Sequence, residues 1–413
     1  MKEIERKQYL NELLSARGNR LIKVITGIRR CGKSYLLDSI FKQYLIREGV
    51  KEDHIIKLDL DLLKNIQYRD PIELYNYVMS KVKEQSVYYI LLDEIQLVNN
   101  FESVLNSFLK KSNLDVYVAC SNSKFLSSDI VTEFRGRSTE IKVYPLSFSE
   151  FVELNGISVD EAWNEYILYG GLPPVVLQEN EKQKREYLLN LFETTYLKDI
   201  IERNDIKRKD VLDAVVNILA SSIGSLTNPM NIYKTYISTF HKDISINTIT
   251  SYIEYIENAF LIKKVERYDV KRRKHISTPF KYYFTDLGLR NARLNFRQQE
   301  ENHIMENIIY NELLIRGYNV DVGVVETRQS DKRIYFEIDF ICNMASNRYY
   351  IQSALNIDSP EKNYQESRPL NCVGDNFKKV IVVKDNIHPW HNEDGILIIG
   401  IKDFLLKENS LDL

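Results

Sequence analysis

The stretch with the clearest chemical meaning matches the phosphate-binding pattern GxxxxGK[ST] and runs Gly27-Ile28-Arg29-Arg30-Cys31-Gly32-Lys33-Ser34. Glycines let such a loop curl so that its backbone N–H groups face a phosphate, and the helix that follows adds a partial positive charge. Lys33 is expected to reach the β- and γ-phosphates of a nucleotide, and Ser34 to ligate Mg²⁺. The residues expected to contact the nucleotide are Gly27, Arg30, Cys31, Gly32, Lys33, Ser34 and Tyr35.

An acidic pair provides the second half of the predicted site. Asp93 and Glu94 directly follow the apolar run Tyr88–Leu92. Asp93 is expected to hold Mg²⁺ through water, and Glu94 to polarise the attacking water molecule. The alternative is an acidic pair in an ordinary loop. Together with the phosphate loop, the pair predicts Mg²⁺-dependent hydrolysis of ATP, and the sequence has no NKxD motif that would read guanine.

Residues further along the chain could complete this site. Asn122 follows the next predicted strand and could orient the water molecule, with Ser121 as the second choice; an ordinary helix cap before Lys124 is an equally open alternative. Arg137, ahead of Arg135, is predicted to act as an arginine finger that stabilises transition-state charge in a neighbouring subunit. The alternative for either arginine is a surface side chain or a local salt bridge.

The elements around these motifs predict an α/β fold. Short apolar runs alternate with stretches of helical periodicity, and a continuous run such as Tyr88–Leu92 is typical of a strand buried on both faces. Strands that alternate with helices indicate a parallel sheet, which here is the sheet of a P-loop NTPase. We expect this ATPase domain to occupy residues 1–145.

The pattern changes after Pro145. Residues 146–205 are mostly helical and predict a lid or linker. Residues 206–295 contain three helices and then a strand pair joined by a basic turn, which is the outline of a winged helix, with Ser245 able to cap the third helix. Residues 296–413 begin with a helix and continue with strands, which predicts a further α/β domain.

Composition excludes several classes of protein. The 413 residues include 56 Lys and Arg against 58 Asp and Glu, a net charge of −2, so the chain is neither a histone-like polycation nor a polyacidic tail. The four cysteines are far apart and form no CxxC pair, so neither a disulfide framework nor a zinc site is expected. The first ten residues are charged, and no apolar run approaches the ~18–20 residues of a membrane helix. We therefore expect a cytoplasmic protein without a secretion signal or membrane contact.

Motifs along the whole chain carry a family resemblance. In order they are GIRRCGKS, YYILLDEIQ, CSNSKFLSS, FRGR and YPLSFSEF, followed by Tyr169–Pro173, Thr195–Ile200, Tyr283–Leu289 and Phe336–Phe340. Their sequences and order resemble a prokaryotic family of AAA+-type ATPases that join an archaeal-type ATPase module to a C-terminal domain of unknown function. The resemblance implies an ATPase core, a helical lid, a winged helix and a C-terminal fold similar to PD-(D/E)XK nucleases. It also implies nucleotide sites between subunits, and hence a homo-oligomer.

The resemblance places a nuclease-type site in the C-terminal domain, but key residue types differ. The matching positions are Glu306, Asp339, Gln352 and Ala354, and an active member would have an acidic residue at 352 and lysine at 354. A neutral amide and a methyl group cannot ligate metal or activate water in the same way. Glu337 could supply a compensating carboxylate. We expect a degenerate site that does not cut nucleic acid, in a domain that binds or scaffolds.

Basic residues cluster in the predicted winged helix. The turn Lys271-Arg272-Arg273-Lys274 lies where a wing would meet DNA phosphates, and the helix 246–258 would be the recognition helix. That helix also has Glu254 and Glu257, which oppose phosphate contact. The alternative is a solvated basic turn on a domain that contacts proteins.

These observations predict an AAA+-type ATPase that couples ATP hydrolysis to remodelling of DNA or movement on it. One alternative is a nucleotide-gated signalling or defence switch that binds protein partners. A second alternative is an ATP-regulated nuclease.

Overall fold

The computed structural model describes residues 4–121, 134, 136–297, 300–329 and 332–413. The chain divides into two compact units, of which the first comprises residues 1–145 with 258–260, and the second comprises residues 146–257 with 261–413. Among the helices in the described ranges, none is long and apolar enough to cross a membrane.

A parallel sheet forms the centre of the first unit and confirms the predicted α/β fold. In the part of the unit that the structure describes it has five strands, in the order β2-β3-β4-β1-β5, and all neighbours are parallel. The strands are β1 (Ile22–Thr26), β2 (Ile55–Asp59), β3 (Tyr88–Asp93), β4 (Leu114–Ala119) and β5 (Ser138–Lys142). The helical segments are Lys7–Ser15, Lys33–Tyr35, Leu36–Phe41, Lys42–Arg47, Glu52–His54, Leu63–Arg69, Pro71–Lys81, Ile95–Leu97 and Phe101–Leu109.

Burial on both faces explains the continuous apolar runs of this sheet. Every residue of β1 and β3 is buried, and helices pack against them with apolar side chains such as Leu74 and Leu105. The carboxyl ends of parallel strands lie at one edge of a sheet. That edge therefore brings together the loop that begins at Gly27, Asp93 at the end of β3, and Ser121 just after β4.

The sequence pattern did not predict strand β5. It pairs with β1 at the edge of the sheet, and Ile141 is its buried residue. A strand with a neighbour on one side needs little apolar surface, so β5 shows no apolar run that sequence periodicity could detect.

Helices make up the first part of the second unit, as the sequence predicts. Ser147 and Ser158 each begin a helix with a capping box, and the Thr248 N–H donates a hydrogen bond to Ser245 Oγ at 3.1 Å, which is the predicted cap. The helical segments are Phe148–Asn155, Val159–Tyr169, Pro173–Val176, Glu181–Leu191, Phe192–Leu197, Lys198–Arg203, Lys209–Ser221, Pro229–Phe240, Ile246–Asn258, Leu287–Arg293, Glu301–Ile315, Pro360–Asn371 and Ile401–Leu406.

A second sheet joins the basic hairpin to the C-terminal strands. Counting the described residues, it has eight strands in the order β12-β13-β11-β10-β9-β8-β6-β7. Strands β8, β9 and β10 are antiparallel neighbours, β11 lies parallel to β10, and β6 of the hairpin lies parallel to β8. The strands are β6 (Ile262–Asp269), β7 (Lys274–Phe284), β8 (Asn319–Gln329), β9 (Lys332–Met344), β10 (Asn347–Ala354), β11 (Lys378–Val383), β12 (Trp390–His391) and β13 (Leu397–Gly400).

A buried aspartate links two of the sequence motifs within this unit. Asp286 accepts hydrogen bonds from the Gly171 N–H at 2.8 Å and from the Leu289 N–H at 3.0 Å, so it holds one motif and caps the helix that begins in the other. A Cβ at Gly170 would collide with the Asp286 carboxylate. The motifs Tyr169–Pro173 and Tyr283–Leu289 are therefore held together by Asp286.

We expect Asp286→Ala to destabilise the second unit by at least about 2 kcal/mol, because buried N–H groups lose their acceptor. Burial raises the pKa of Asp286 from 3.8 to about 6. The native state therefore holds this proton more tightly than the unfolded chain, and the stabilising contribution falls as pH rises through about 6. Urea denaturation should show that Asp286→Ala loses more free energy of unfolding, relative to the wild type, near pH 4.5 than near pH 7.5. The exposed control Asp358→Ala should change little, and a loss that grows with pH would contradict the argument.

Candidate nucleotide site

The loop after β1 has the backbone of a phosphate-binding loop. Gly27, Arg30 and Gly32 have φ angles of 146°, 67° and 104°, so the chain turns repeatedly through the left-handed region. A Cβ at Gly27 would collide with the carbonyl oxygen of Val143, which makes glycine necessary there. The helical segments from Lys33 to Arg47 begin directly after Gly32.

Lys33 is buried within this loop. Its Nζ donates hydrogen bonds to the carbonyl oxygens of Gly27 at 2.9 Å and of Ile28 at 3.0 Å. The ammonium group thus already lies over the loop, where a phosphate oxygen would be its acceptor.

The other predicted nucleotide contacts surround this lysine in the chain. Cys31 is fully buried, and its Sγ donates to the carbonyl oxygen of Val143 at 3.3 Å, so it helps to fix the position of the loop. Arg30, Ser34 and Tyr35 are exposed and remain accessible to a ligand.

Ser34 and Asp93 meet at the edge of the sheet. The Ser34 side chain makes a hydrogen bond to the Asp93 carboxylate, which is 8% exposed. The pKa of Asp93 is raised to about 6. Burial is the largest cause, the hydrogen bond from Ser34 acts in the opposite direction, and the charge of Glu94 adds to the increase. A hydroxyl and a carboxylate are oxygen ligands of the kind that Mg²⁺ prefers, so this donor set fits the predicted ion.

Asp59 is a neighbour of Asp93 that the sequence analysis missed. It ends β2, directly opposite Asp93 in the parallel register, and its charge also raises the pKa of Asp93. The Lys57 Nζ lies 3.3 Å from the Asp59 carboxylate. Asp59 directly follows the largely apolar stretch Ile55–Leu58 in the sequence, but the pairing of β2 with β3 is not visible there.

Glu94 is held by two side chains that donate to the same oxygen. Ser121 Oγ donates to Glu94 Oε2 at 2.9 Å, and Gln96 Nε2 donates to that atom too. Glu94 has a φ of 55°, so the backbone turns sharply after β3 and presents the carboxylate at the sheet edge. Ser121, the second choice of the sequence analysis, makes this contact, while Asn122 lies outside the described residues; Gln96 was missed.

The candidate arginine is separate from this group in the described contacts. Arg137 is exposed, and its Nη1 donates to Asn106 Oδ1 at 3.3 Å. Arg135 lies outside the described residues. Arg137 remains a prediction that concerns a neighbouring subunit.

The predicted DNA-contacting turn divides into two parts. Arg272 pairs with Glu326 and lies 3.6 Å from the Asp269 carboxylate, so its charge is largely balanced. Lys271, Arg273 and Lys274 are exposed, and no ion-pair partner lies within 4 Å among the residues that the structure describes.

The positions implied by the nuclease resemblance line one cavity in the second unit. It has a volume of about 660 Å³, and its lining includes Glu306, Glu337, Asp339, Gln352 and Ala354. Lys281 of β7, which the sequence analysis did not connect with these residues, lies among them.

Two family models match the chain. Residues 19–152 match an AAA domain, and residues 160–300 match a Domain of unknown function (DUF8612). An uncharacterized protein of Haemophilus influenzae is 34% identical over 410 residues, covering 98% of this chain and 99% of that protein. The chain belongs to the same family as that protein. An uncharacterized protein of Methanocaldococcus jannaschii is 30% identical over 410 residues, covering 95% of this chain and 86% of that protein.

The AAA domain covers most of the first unit and confirms the AAA+-type part of the resemblance. Among solved structures, the chain is similar to the Aeropyrum pernix ORC1 protein in complex with DNA, with 12% identity and a TM-score of 0.29 over 71% of this chain and 93% of that chain.

Proposed function

We propose that this AAA+ protein hydrolyses ATP with Mg²⁺ and couples hydrolysis to remodelling of DNA or movement on it. The single observation that supports the ATPase most strongly is the convergence of Lys33, Ser34, Asp93 and Glu94 at one edge of the parallel sheet. Ser121 and Gln96 fix the Glu94 carboxylate beside them.

Each of these residues has a distinct part in the proposed reaction. The Lys33 ammonium and the backbone N–H groups of the loop bind the phosphates, while Ser34 and Asp93 hold Mg²⁺. An Mg²⁺ ion held there would neutralise charge on the phosphates. Glu94 orients a water molecule and accepts its proton, and the hydrogen bonds from Ser121 and Gln96 leave Glu94 Oε1 as the oxygen for that contact.

Coupling to another macromolecule is proposed for the second unit. Its helices Lys209–Ser221, Pro229–Phe240 and Ile246–Asn258, followed by the β6–β7 hairpin, have the element order of a winged helix. The helix Glu301–Ile315, antiparallel strands β8 to β10, the helix Pro360–Asn371 and parallel strand β11 have the element order of a nuclease-like domain. We keep 146–205, 206–295 and 296–413 as the proposed lid, winged helix and nuclease-like modules.

The proposed DNA contact is the exposed part of the basic turn. Lys271, Arg273 and Lys274 offer three positive charges at the end of the hairpin. We further propose a homo-oligomer in which exposed Arg137 acts on the nucleotide of a neighbouring subunit.

ATPase activity measured with and without single-stranded, duplex and branched DNA tests the coupling. We expect DNA to stimulate hydrolysis, and the triple variant Lys271→Ala/Arg273→Ala/Lys274→Ala to weaken DNA binding at all sequences. Loss of three phosphate contacts should reduce the slope of log affinity against log salt by about 3. The variant should keep its ATPase activity without DNA.

A matched control removes the same charge elsewhere on this unit. Lys182→Ala/Lys198→Ala/Lys378→Ala changes three exposed lysines outside the hairpin and should leave DNA binding nearly unchanged. An equal loss of DNA affinity in both triple variants would indicate a general charge effect and contradict the proposed contact. If none of the three DNA forms changes ATPase activity, the protein-binding switch becomes the better hypothesis, which the balanced charge of Arg272 already favours.

A further inference from the structure

The cavity of the second unit contains a buried cation supplied by the chain itself. Lys281 is 3% exposed, and its Nζ lies 2.7 Å from Glu306 Oε1 and 2.8 Å from Glu337 Oε1. A third carboxylate, that of Asp339, lies 3.8 Å from the same nitrogen. Carboxylates from the helix Glu301–Ile315 and from strand β9 therefore converge on one ammonium group.

The position of this ammonium group is fixed by the fold. Lys281 lies in β7 opposite Val265 of β6, and its neighbours Phe280 and Tyr282 are buried. The Lys281 side chain itself lines the cavity. Burial lowers the pKa of Lys281, but Glu306, Asp339 and Glu337 outweigh burial and raise it above its ordinary value, so the group stays charged.

Two further donors contact these carboxylates, one at the Glu306 oxygen that Lys281 also contacts and one at the second oxygen of Asp339. The Tyr283 hydroxyl donates to Glu306 Oε1, and the Ser353 N–H donates to Asp339 Oδ2 at 2.8 Å. Gln352, at a position where an active nuclease would have an acidic residue, accepts a hydrogen bond from the Asp339 N–H at 3.3 Å. Among the His, Cys, Asp and Glu side chains that the structure describes, no group of three is arranged to hold a metal ion.

We propose that the Lys281 ammonium permanently takes the place of a divalent cation in this cavity and excludes metal ions from it. A buried cluster of carboxylates requires a neutralising cation, and either an ammonium group or a metal can supply that charge. Both cannot share the same oxygens, because two cations a few ångströms apart repel each other strongly in a site of low dielectric. The neutral Gln352 and Ala354 are consistent with a cavity that holds no metal.

Removal of the Lys281 charge should open the cavity to a divalent ion. Lys281→Met keeps most of the length of the side chain but leaves Glu306, Glu337 and Asp339 without a cation, so the cavity should gain affinity for a divalent ion. Mn²⁺ binding to the full chain without nucleotide can be followed by the loss of the electron paramagnetic resonance signal of free Mn²⁺. We expect one more bound Mn²⁺ per chain in Lys281→Met than in the wild type.

Two further variants locate the new ion and guard against misfolding. Lys281→Met/Asp339→Asn should lose the additional Mn²⁺, which assigns it to the cavity. Lys281→Gln keeps two N–H donors without the charge and should also gain Mn²⁺. It serves as the test if the methionine variant fails to fold. A Lys281 variant that folds only in the presence of Mn²⁺ would support the proposal as well.

The wild type alone can overturn the proposal. It should bind as many Mn²⁺ ions as Asp339→Asn, because the cavity contributes none. A wild-type Mn²⁺ ion that Asp339→Asn removes would contradict exclusion by Lys281. A folded Lys281→Met protein that gains no Mn²⁺ would contradict the replacement of metal by ammonium. These outcomes do not depend on ATP hydrolysis, so the ATPase proposal can fail while this one stands.

Discussion

Glu94→Gln should bind ATP normally and hydrolyse it at least about 10²-fold more slowly than the wild type. The amide keeps the size of the side chain and can still contact Ser121 and Gln96, which donate to Glu94 Oε2 in the wild type. An amide cannot accept a proton from water, and loss of a general base typically costs ~10²–10⁴-fold in rate. The phosphate-binding loop is untouched, so affinity for the nucleotide should persist.

Two measurements separate binding from turnover. Equilibrium binding of a fluorescent ATP analogue should give the same affinity for the wild type and Glu94→Gln, whereas single-turnover hydrolysis should differ. Lys33→Ala provides the contrast, because it removes the ammonium group that lies over the loop, and should abolish binding. The exposed Lys64→Ala controls for removal of a lysine and should change neither quantity.

The outcome that would contradict this assignment is specific. If Glu94→Gln hydrolyses ATP at the wild-type rate, Glu94 is not the base. If Lys33→Ala binds and hydrolyses ATP normally, the loop is not the nucleotide site at all, and the ATPase proposal fails.

Local sequence signals were sufficient for the first unit because its chemistry is encoded in short segments. The phosphate loop and the strand that ends at Asp93 are each determined by residues that are close in sequence. Strand β5 escaped detection because an edge strand needs little apolar surface. Gln96 lies only two residues after Glu94, so their separation in the sequence allows a contact. The directions of the two side chains depend on the left-handed turn at Glu94, which the sequence does not show.

Contacts between distant segments could not be predicted from one sequence. Asp286 accepts a hydrogen bond from Gly171 across 115 residues, and its role explains two motifs that have no catalytic chemistry. Lys281 lies in a hairpin that the sequence analysis assigned to the winged helix, yet its ammonium group lies among carboxylates of the C-terminal module. Periodicity identifies strands, whereas the pairing of β6 with β8 decides which side chains meet.

The first sheet contains a further buried ion pair, which is independent of the nucleotide chemistry. Lys23 is fully buried in β1, and its Nζ pairs with the Asp115 carboxylate of neighbouring β4. The Tyr117 hydroxyl and the Gly18 N–H also donate to this carboxylate, at 3.0 and 3.1 Å. Asp115 thus satisfies three donors inside the first unit.

Asp115→Ala should lower the free energy of unfolding of the first unit by about 3–5 kcal/mol, because it leaves the Lys23 charge buried without a partner. Urea denaturation of the full chain, followed by loss of nucleotide binding, measures this effect. The double variant Lys23→Met/Asp115→Leu removes both charges, and should be more stable than Asp115→Ala because well-packed apolar residues often replace a buried pair at little cost. A double variant that loses the sum of the two single losses would show that the charges are not coupled. A loss below about 1 kcal/mol in Asp115→Ala would mean that water reaches Lys23, in conflict with its complete burial.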